Sequence, residues 1–195
     1  MRGKLVTCAK ALYREQGYDA VSIRTLTQAV GMSPMSFYVY FGSKQELIRH
    51  IWVDFISELL KALQAAGRGR RSPLLVLEAH ADAYLAYWEA HPQQYRMIYM
   101  YGALQDDDEP VGFEGDPVYL SMVALTRERL LACYHGQAIS EKALRLTADH
   151  MFVKALGYLH ATLAIGRYKF ADHAKLRRRV VKDIVETVHR ASPPG

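Results

Sequence analysis

Residues 22–47 have the sequence SIRTLTQAVGMSPMSFYVYFGSKQEL. Ser22 can cap a helix whose apolar residues recur at helical spacing, and Gly31 is suited to ending that helix. Ser33 and Pro34 then supply a second cap and a favoured first helical residue. Two helices joined by a short glycine-containing turn, the second helix being short, are typical of a helix-turn-helix.

The second of these helices has a predicted inner and outer face. Phe37 and Phe41 are four residues apart, so we expect both to face the core. The outward positions are Pro34, Met35, Ser36, Tyr38 and Tyr40. Exposed tyrosine hydroxyls can donate to phosphates, and the rings can pack on sugars. The pattern therefore indicates a surface that contacts nucleic acid.

A long fourth helix is predicted to follow this motif. The Ser43 hydroxyl can accept from the Glu46 amide while the Glu46 carboxylate reaches back to the Ser43 amide, which is a capping box. The apolar stripe from Leu47 to Leu63 is wider than one small domain could cover. We expect this helix to end near Ala66 and to connect two packed bodies.

The rest of the chain also has helical patterning, and almost nothing in it is typical of a strand. Helices are predicted over residues 4–16, 22–30, 33–41, 43–66, 72–91, 92–101, 116–134, 141–166 and 172–191. Residues 102–116 are predicted to form an exposed loop. The fold class is therefore all-α, with about nine helices arranged as an N-terminal three-helix domain and a larger C-terminal helical domain.

The positive charge of the chain is concentrated near its N-terminus. Residues 1–50 carry seven basic and three acidic side chains, so this quarter supplies +4 of the total net charge of +5. Phosphate neutralisation provides most of the sequence-independent affinity for nucleic acid. The distribution favours a polyanion partner for the first domain, although many domains without such a partner are equally basic.

Composition limits the other possibilities. Half of the 195 residues are hydrophobic, which is enough for a substantial core. No apolar run reaches the roughly 18 to 20 residues that span a bilayer, and no signal-peptide pattern is present, so we expect a soluble cytoplasmic protein. The first helix begins so close to Met1 that we expect little N-terminal arm. Cys8 and Cys133 lie in apolar patterns and are predicted to be reduced core residues.

An enzyme is the main alternative class, but no catalytic, cofactor or metal site is predicted. The histidines lack paired ligand spacing, and residues 149–150 are expected to be a surface Asp-His pair. The glycines at 67–69 follow no strand and open no phosphate-binding unit. The acidic run 106–109 lacks the pattern of a calcium loop. Residues 177–179 offer a second basic patch, for which a solvated helix face is the simpler interpretation.

The stretch from Ser22 to Leu47 resembles the N-terminal signature of the TetR family of repressors, over about the first quarter of the chain. The resemblance implies that Ser22 caps the second helix and contacts phosphate, with Arg24 beside it on the backbone. Lys44 matches a nearly invariant lysine of the family, at a helix start where charge and helix dipole both favour a phosphate.

The same resemblance assigns roles within the recognition helix. Its first residues would contact base edges, and its aromatic positions would hold the DNA backbone. In this sequence the former are Ser33, Pro34, Met35 and Ser36, and the latter are Tyr38 and Tyr40. Tyr40 stands where the family more often has histidine, and Val30 precedes Gly31 in place of the commoner alanine. Met35 stands where small or polar residues are frequent, which favours apolar contact with a thymine methyl.

The remaining three quarters resemble the family more loosely. Residues 91–99 are similar to a segment of the subgroup named for a Trp-His-Gly motif, of which Gly157 is the one residue present here. The resemblance implies a homodimer formed by the last two helices, where Gly157, Ala161 and Ala164 would allow close approach. A monomer in which these helices complete the core is the alternative.

Aromatic residues at helical spacing in the second domain predict an effector pocket. The predicted ligand-binding residues are Tyr84, Trp88, Tyr95, Tyr99, Met122 and Phe152. An apolar cavity with aromatic hydroxyls would bind a small apolar or aromatic molecule. Such a stripe can equally be plain core.

The predicted organisation is a helix-turn-helix DNA-binding domain over residues 1–46 and a ligand-binding and dimerisation domain over residues 47–195. The predicted function is that of a dimeric transcriptional repressor that binds operator DNA and is released by its effector. A transcriptional activator with the same fold is one alternative, and a helical enzyme is another.

Overall fold

The computed structural model describes residues 1–17, 20–101, 113, 115–134 and 136–191. The α-helices in these ranges are α1 (Arg2–Gln16), α2 (Ile23–Ala29), α3 (Pro34–Phe37), α4 (Lys44–Ala66), α5 (Pro73–Ala90), α6 (Pro92–Arg96), α7 (Pro117–Ala132), α8 (Glu141–Leu163) and α9 (His173–Ala191). A π-helical turn over Met97–Tyr101 continues α6. No residue in the described ranges lies in a β-strand, so the prediction of an all-α fold is confirmed.

The chain divides into two compact units, and the first contains Met1–Ile56 together with Gln93–Asp116. In this unit α1 packs on α2 and α2 packs on α3. Its core is built from buried apolar side chains, chiefly Leu5, Ala9, Leu26, Phe37, Phe41, Leu47, Ile51 and Tyr95. The Tyr13 hydroxyl donates to the Gln93 carbonyl oxygen over 2.8 Å, which ties α1 to the segment that follows α5.

The second unit contains Ser57–Pro92 and Pro117–Gly195. Here α5 packs on α7, α8 and α9, and α8 also packs on α7 and α9. The buried side chains of this core include Leu63, Leu77, Leu85, Trp88, Leu130, Leu144, Leu159, Val181, Ile184 and Val188. The boundary between the units falls inside α4, which runs without a break from Lys44 to Ala66.

Several helix ends differ from the predicted ones. The third helix ends at Phe37, and residues 38–40 form turns, whereas the prediction continued the helix to Phe41. The fold still places Phe41 inside, because the Phe41 amide donates to the Phe37 carbonyl over 3.1 Å. The predicted sixth helix over residues 92–101 is split into α6 and the π-helical turn.

Three further expectations concern single features. Cys133 is buried as predicted, but Cys8 is only half-buried. The predicted exposed loop lies almost entirely on residues outside the described ranges. Within those ranges, none of the helices combines the length and the apolar character needed to cross a bilayer.

Candidate nucleic-acid interface

The start of α2 is fixed by hydrogen bonds between Ser22 and Thr25. The Ser22 hydroxyl accepts from the Thr25 amide over 3.1 Å, and the Thr25 hydroxyl accepts from the Ser22 amide over 3.0 Å. Both bonds satisfy backbone donors that a helix start would otherwise leave unpaired. The prediction of a cap at Ser22 is confirmed, and the reciprocal role of Thr25 is an addition from the structure.

The turn between α2 and α3 depends on a glycine. Gly31 has φ +71, in the left-handed region that residues with a Cβ rarely adopt. The Met32 amide donates to the Thr27 carbonyl over 2.9 Å, and the Gly31 amide donates to the Gln28 carbonyl over 3.2 Å. These bonds close the end of α2 and turn the chain sharply toward α3.

The start of α3 is fixed by a serine cap and a proline. The Ser33 hydroxyl accepts from the Ser36 amide over 3.3 Å and lies 2.8 Å from the Ser36 hydroxyl. Pro34 occupies the first helical position, where its missing N–H costs nothing. The hydroxyls of Ser33 and Ser36 therefore share one hydrogen bond. One hydroxyl proton and the unused lone pairs remain available for a contact with a base edge.

The inner and outer faces of this segment are sharply separated. Phe37 and Phe41 are 0% and 1% exposed, which confirms that both belong to the core. Met35 and Val39 are 77% and 79% exposed, the highest values for large hydrophobic side chains in the part of the chain that the structure describes. Met35 lies in α3 and Val39 in the turn that follows it, so this short segment exposes two apolar side chains. An exposed apolar surface of this kind indicates a binding function.

Val39 was not among the predicted interface residues. The sequence carried a signal for it, since a residue four positions after an outward Met35 shares its face in a helical segment. The two predicted tyrosines differ from each other: Tyr38 is 54% exposed and packs edge-on against Phe37, whereas Tyr40 is half-buried.

The start of α4 adjoins this segment. The Ser43 hydroxyl accepts from the Glu46 amide over 3.1 Å, as predicted. The Glu46 carboxylate accepts from the Gly42 amide over 2.7 Å, one residue earlier than the predicted partner. Lys44 is the first residue of α4 and is half-buried. Its positive charge therefore belongs to the first turn of α4, at the positive end of the helix dipole.

The first turn of α1 contacts Phe41 and the start of α4 through Arg2. The Arg2 guanidinium lies 3.3 Å from the Glu46 carboxylate and 4.9 Å above the Phe41 ring, and it also contacts His50. Phe41 is thus in contact with Arg2 of α1 and with Phe37 of α3. Sequence reasoning did not identify this role of Arg2, because 44 positions separate it from Glu46.

Arg24 stands apart from these contacts. Its side chain is exposed, and its guanidinium has no hydrogen-bond or ion-pair partner within the described residues. A guanidinium in this state keeps all five N–H donors for a phosphate. The exposed Arg24 side chain at the start of α2 is therefore suited to contact the sugar-phosphate backbone of DNA.

The six predicted ligand-binding residues are distributed over both units. In the first unit, Tyr95 is buried and its ring centroid lies 4.9 Å from that of Tyr99; burial, followed by the proximity of Tyr99, raises the pKa of Tyr95. In the second unit, Trp88 is fully buried and packs edge-on against Tyr84. Two further residues of that unit were predicted to close the pocket: Met122, which is half-buried, and Phe152, which is 45% exposed.

Comparison with family models matches residues 5–51 to the bacterial regulatory proteins of the tetR family. The matched range contains most of α1, all of α2 and α3, and the first turns of α4. Residues 5–51 therefore match the helix-turn-helix domain of the tetR family.

Curated relatives carry the same type of description. The transcriptional repressor BdcR of Escherichia coli is 35% identical over 51 residues, which are 26% of this chain and 26% of BdcR. The transcriptional activator FasR of Mycolicibacterium smegmatis is 26% identical over 98 residues, which are 50% of this chain and 45% of FasR. The alignment thus spans less than half the length of either relative.

Solved structures extend the likeness to the whole fold. A tetR family transcription regulator from Shewanella sp. PV-4 has a TM-score of 0.67 at 17% identity, with 94% of this chain and 95% of that chain covered. The regulator PfmR from Thermus thermophilus has a TM-score of 0.64 at 18% identity, with 94% and 97% covered. These likenesses show that the chain shares its helical fold with these two structures over most of its length.

Proposed function

We propose that this protein is a sequence-specific DNA-binding transcriptional regulator that acts as a dimeric repressor. The observation that carries the proposal is the segment from Ser33 to Tyr40. It presents Met35 and Val39 to solvent while Phe37 and Phe41 fix it to the core. A short rigid element with an exposed face, next to the start of a helix that bears Lys44, suits insertion into a major groove.

The proposed contacts fall into two groups. Met35 and Val39, with Ser33, Pro34 and Ser36 at the helix start, contact base edges and supply the sequence preference. Phosphate and sugar contacts come from Ser22, Arg24, Tyr38, Tyr40 and Lys44. Apolar contact by Met35 and Val39 favours thymine methyl groups over hydrogen-bonded readout, so we expect at least one A·T pair at the centre of each half-site.

We further propose that residues 1–46 bind DNA and that residues 47–195 bind the effector and form a homodimer through α8 and α9. Support comes from α8, where Leu146 and Val153 are 68% and 64% exposed. A Cβ added to Gly157 would meet no atom within 4 Å, so close approach of a second helix is open there. Such a dimer would contact half-sites about 34 to 36 Å apart.

The proposed effector is a small apolar or aromatic molecule. The residues predicted to bind it are Tyr84, Trp88, Met122 and Phe152 of the second unit, and Tyr95 and Tyr99 of the first. Its binding would displace α4, change the separation of the two recognition helices in the dimer and lower operator affinity. The continuity of α4 between the two units supports this route. Assignment to the Trp-His-Gly subgroup remains a prediction from residues 91–99 and Gly157.

The decisive experiment is a selection of bound sequences from random DNA by the purified protein, followed by footprinting of the selected site. Met35→Ala should relax the preference at one base pair, whereas Lys44→Ala should weaken binding to every sequence and lower the salt slope by about one unit. Lys169→Ala is the matched control, since it removes an equal charge from an exposed position between α8 and α9. Equal losses on all sequences from the Met35 and Lys44 variants would contradict this division of roles.

An activator with the same contacts is the second candidate, since FasR is named an activator and BdcR a repressor. The position of the selected site relative to the promoter distinguishes the two. A site overlapping the promoter supports repression, and a site upstream of it supports activation. If an effector binds but operator affinity stays unchanged, the release mechanism is wrong.

A further inference from the structure

A cavity of about 320 Å³ lies in the second unit beside the end of α4. Gly67 and Arg71 line it from the segment between α4 and α5, and Arg129 lines it from α7. Val76 and Leu125 supply apolar walls. None of the six residues predicted to bind the effector contributes to it. The cavity is of the size that accommodates small organic ligands.

Arg129 is held rigidly at one edge of this cavity. Its Nη1 donates to the Leu63 carbonyl oxygen over 2.8 Å and to Nδ1 of His80 over 3.0 Å. Its Nη2 makes only a long contact of 3.5 Å to the Gln64 carbonyl oxygen. The side chain therefore caps the last turn of α4, where carbonyl groups lack helical partners.

The other edge of the same guanidinium has open donors. Arginine carries five N–H groups, and no acceptor for Nε–H of Arg129 is found within the described part of the chain. The guanidinium of Arg71, which is exposed, likewise has no acceptor there. The Nε and Nη2 edge is the one that Arg127 uses toward Glu141, over 3.2 and 2.7 Å, so this fold already contains a carboxylate bound in that geometry.

The charge of the cavity favours an anion. Arg71 and Arg129 contribute two positive charges, and Glu128 contributes one negative charge. Pro73, the first residue of α5, also lines the cavity, and Ser72 makes no side-chain cap there. The N-terminal end of α5 therefore adds a positive helix dipole to the positive net charge.

Gly67 keeps the open edge of Arg129 accessible. A Cβ at this position would lie 2.8 Å from Nη2 and 3.2 Å from Cζ of Arg129, and 3.2 Å from Cγ1 of Val76. Any larger residue would push the guanidinium aside or cover its open edge. Because Gly67 does not adopt a positive φ, this clash and not backbone conformation is the reason for a glycine here.

We propose that this cavity is a binding site for a small organic carboxylate, whose oxygens accept from Nε and Nη2 of Arg129 and from Arg71 while its apolar body contacts Val76 and Leu125. The bidentate contact holds Arg129 in the orientation that caps α4, so the ligand stabilises the end of that helix. Binding itself does not depend on the proposed function. The proposed function is needed only for the further step, in which ligand binding changes operator affinity through α4.

The test is isothermal titration of the full-length protein with hexanoate, and with hexanamide and inorganic phosphate as comparison ligands. Hexanoate should bind about 10-fold more tightly than hexanamide, because the amide lacks the charge, and more tightly than phosphate, because phosphate lacks the apolar body. Nuclear Overhauser contacts from hexanoate to the methyl groups of Val76 and Leu125 should locate the ligand.

Three variants and one control test the individual contacts. Arg129→Lys keeps the positive charge but loses the pair of N–H donors that would bind both carboxylate oxygens. Gly67→Ala places a methyl group against Nη2 of Arg129. Each variant should weaken hexanoate binding about 10-fold or more. Arg71→Gln should weaken it by about 5-fold, since that side chain is exposed to solvent. Arg68→Gln removes the same charge from an exposed neighbour outside the cavity lining and should leave the affinity within about 2-fold.

Several results would overturn the proposal. These are equal affinities for hexanoate and hexanamide, phosphate binding as tight as hexanoate, equal losses from the Arg71 and Arg68 variants, or no heat at about 10 mM hexanoate. Should Arg129→Lys unfold, the Gly67→Ala and Arg71→Gln variants carry the test. Hexanoate binding without any change in operator affinity would leave the site standing and contradict only the link to the proposed function.

Discussion

Acidification should destabilise the second unit through a single buried histidine. His80 is 5% exposed. Its Nδ1 lies 3.0 Å from Nη1 of Arg129, and arginine can only donate, so Nδ1 is an acceptor. The proton of the neutral ring therefore sits on Nε2, which lies 3.3 Å from the Thr126 hydroxyl, and that hydroxyl in turn donates to the Met122 carbonyl.

The magnitude follows from the pKa of His80. Burial, and then the charge of Arg129, lower this pKa from 6.5 to about 4. Protonation therefore occurs more readily in the unfolded chain, so the stabilising contribution is fully present above pH 6.5 and is lost as the pH falls toward 4. Linkage gives a loss of about 2 kcal/mol in the free energy of unfolding at about pH 5, and about 3 kcal/mol near pH 4.

The assay is urea unfolding at a fixed protein concentration between about pH 8 and pH 5, for the wild type and for His80→Asn. Asparagine offers a carbonyl oxygen to Arg129 but does not titrate in this range. Other titrating groups are common to both proteins and cancel in the difference. The wild type should lose about 2 kcal/mol more than the variant over this interval.

A direct measurement accompanies the unfolding experiment. The ring protons of His80 should show no titration by nuclear magnetic resonance down to about pH 5, although the side chain of an unperturbed histidine in a model peptide titrates near about 6.5. If the wild type and His80→Asn follow parallel stability curves, or if the His80 ring titrates between about pH 6 and 7, the assignment of a buried neutral ring is wrong.

Three further perturbations test other parts of the chain. Ser22→Ala should lower the free energy of unfolding in urea by about 1 kcal/mol, because it removes a side-chain cap. Ser72→Ala is the control, since Ser72 stands at a helix start without such a bond, and it should change this free energy by less than about 0.5 kcal/mol. Similar losses from both variants would contradict the capping argument. Val39→Ser should leave stability within about 0.5 kcal/mol but weaken binding to the selected DNA site, and unchanged affinity would remove Val39 from the interface. Because burial raises the pKa of Cys133 to about 11, a thiol reagent at about pH 8 should label Cys133 only after urea unfolding, and rapid labelling of the native protein would show that the thiol is accessible.

The helix-turn-helix could be predicted because its signals are local. Ser22, Ser33 and Ser43 each accept from a backbone amide three residues later, and Gly31 allows a backbone conformation that few other residues adopt. These interactions span a single turn, so residue identity and spacing are sufficient to reveal them. The inward placement of Phe37 and Phe41 likewise follows from their separation of four.

Other features of the candidate interface depended on contacts that spacing does not encode. The third helix stops at Phe37, and the turns that follow bury part of Tyr40 while leaving Val39 exposed. The Glu46 carboxylate bonds to Gly42 and pairs with Arg2, which lies 44 positions away. Which of several donors a long side chain reaches depends on the packing of α1 against the start of α4.

By itself, then, the sequence determined that the chain is helical and where most of its helices begin. It also determined that Phe37 and Phe41 face the core. Each of these features depends on neighbours within a turn or two. Only the tertiary structure brought Arg129 to the Leu63 carbonyl and to His80, across 66 and 49 positions. Long-range polar contacts of this kind require the position and orientation of three helices at once, and no periodic pattern in the sequence specifies them.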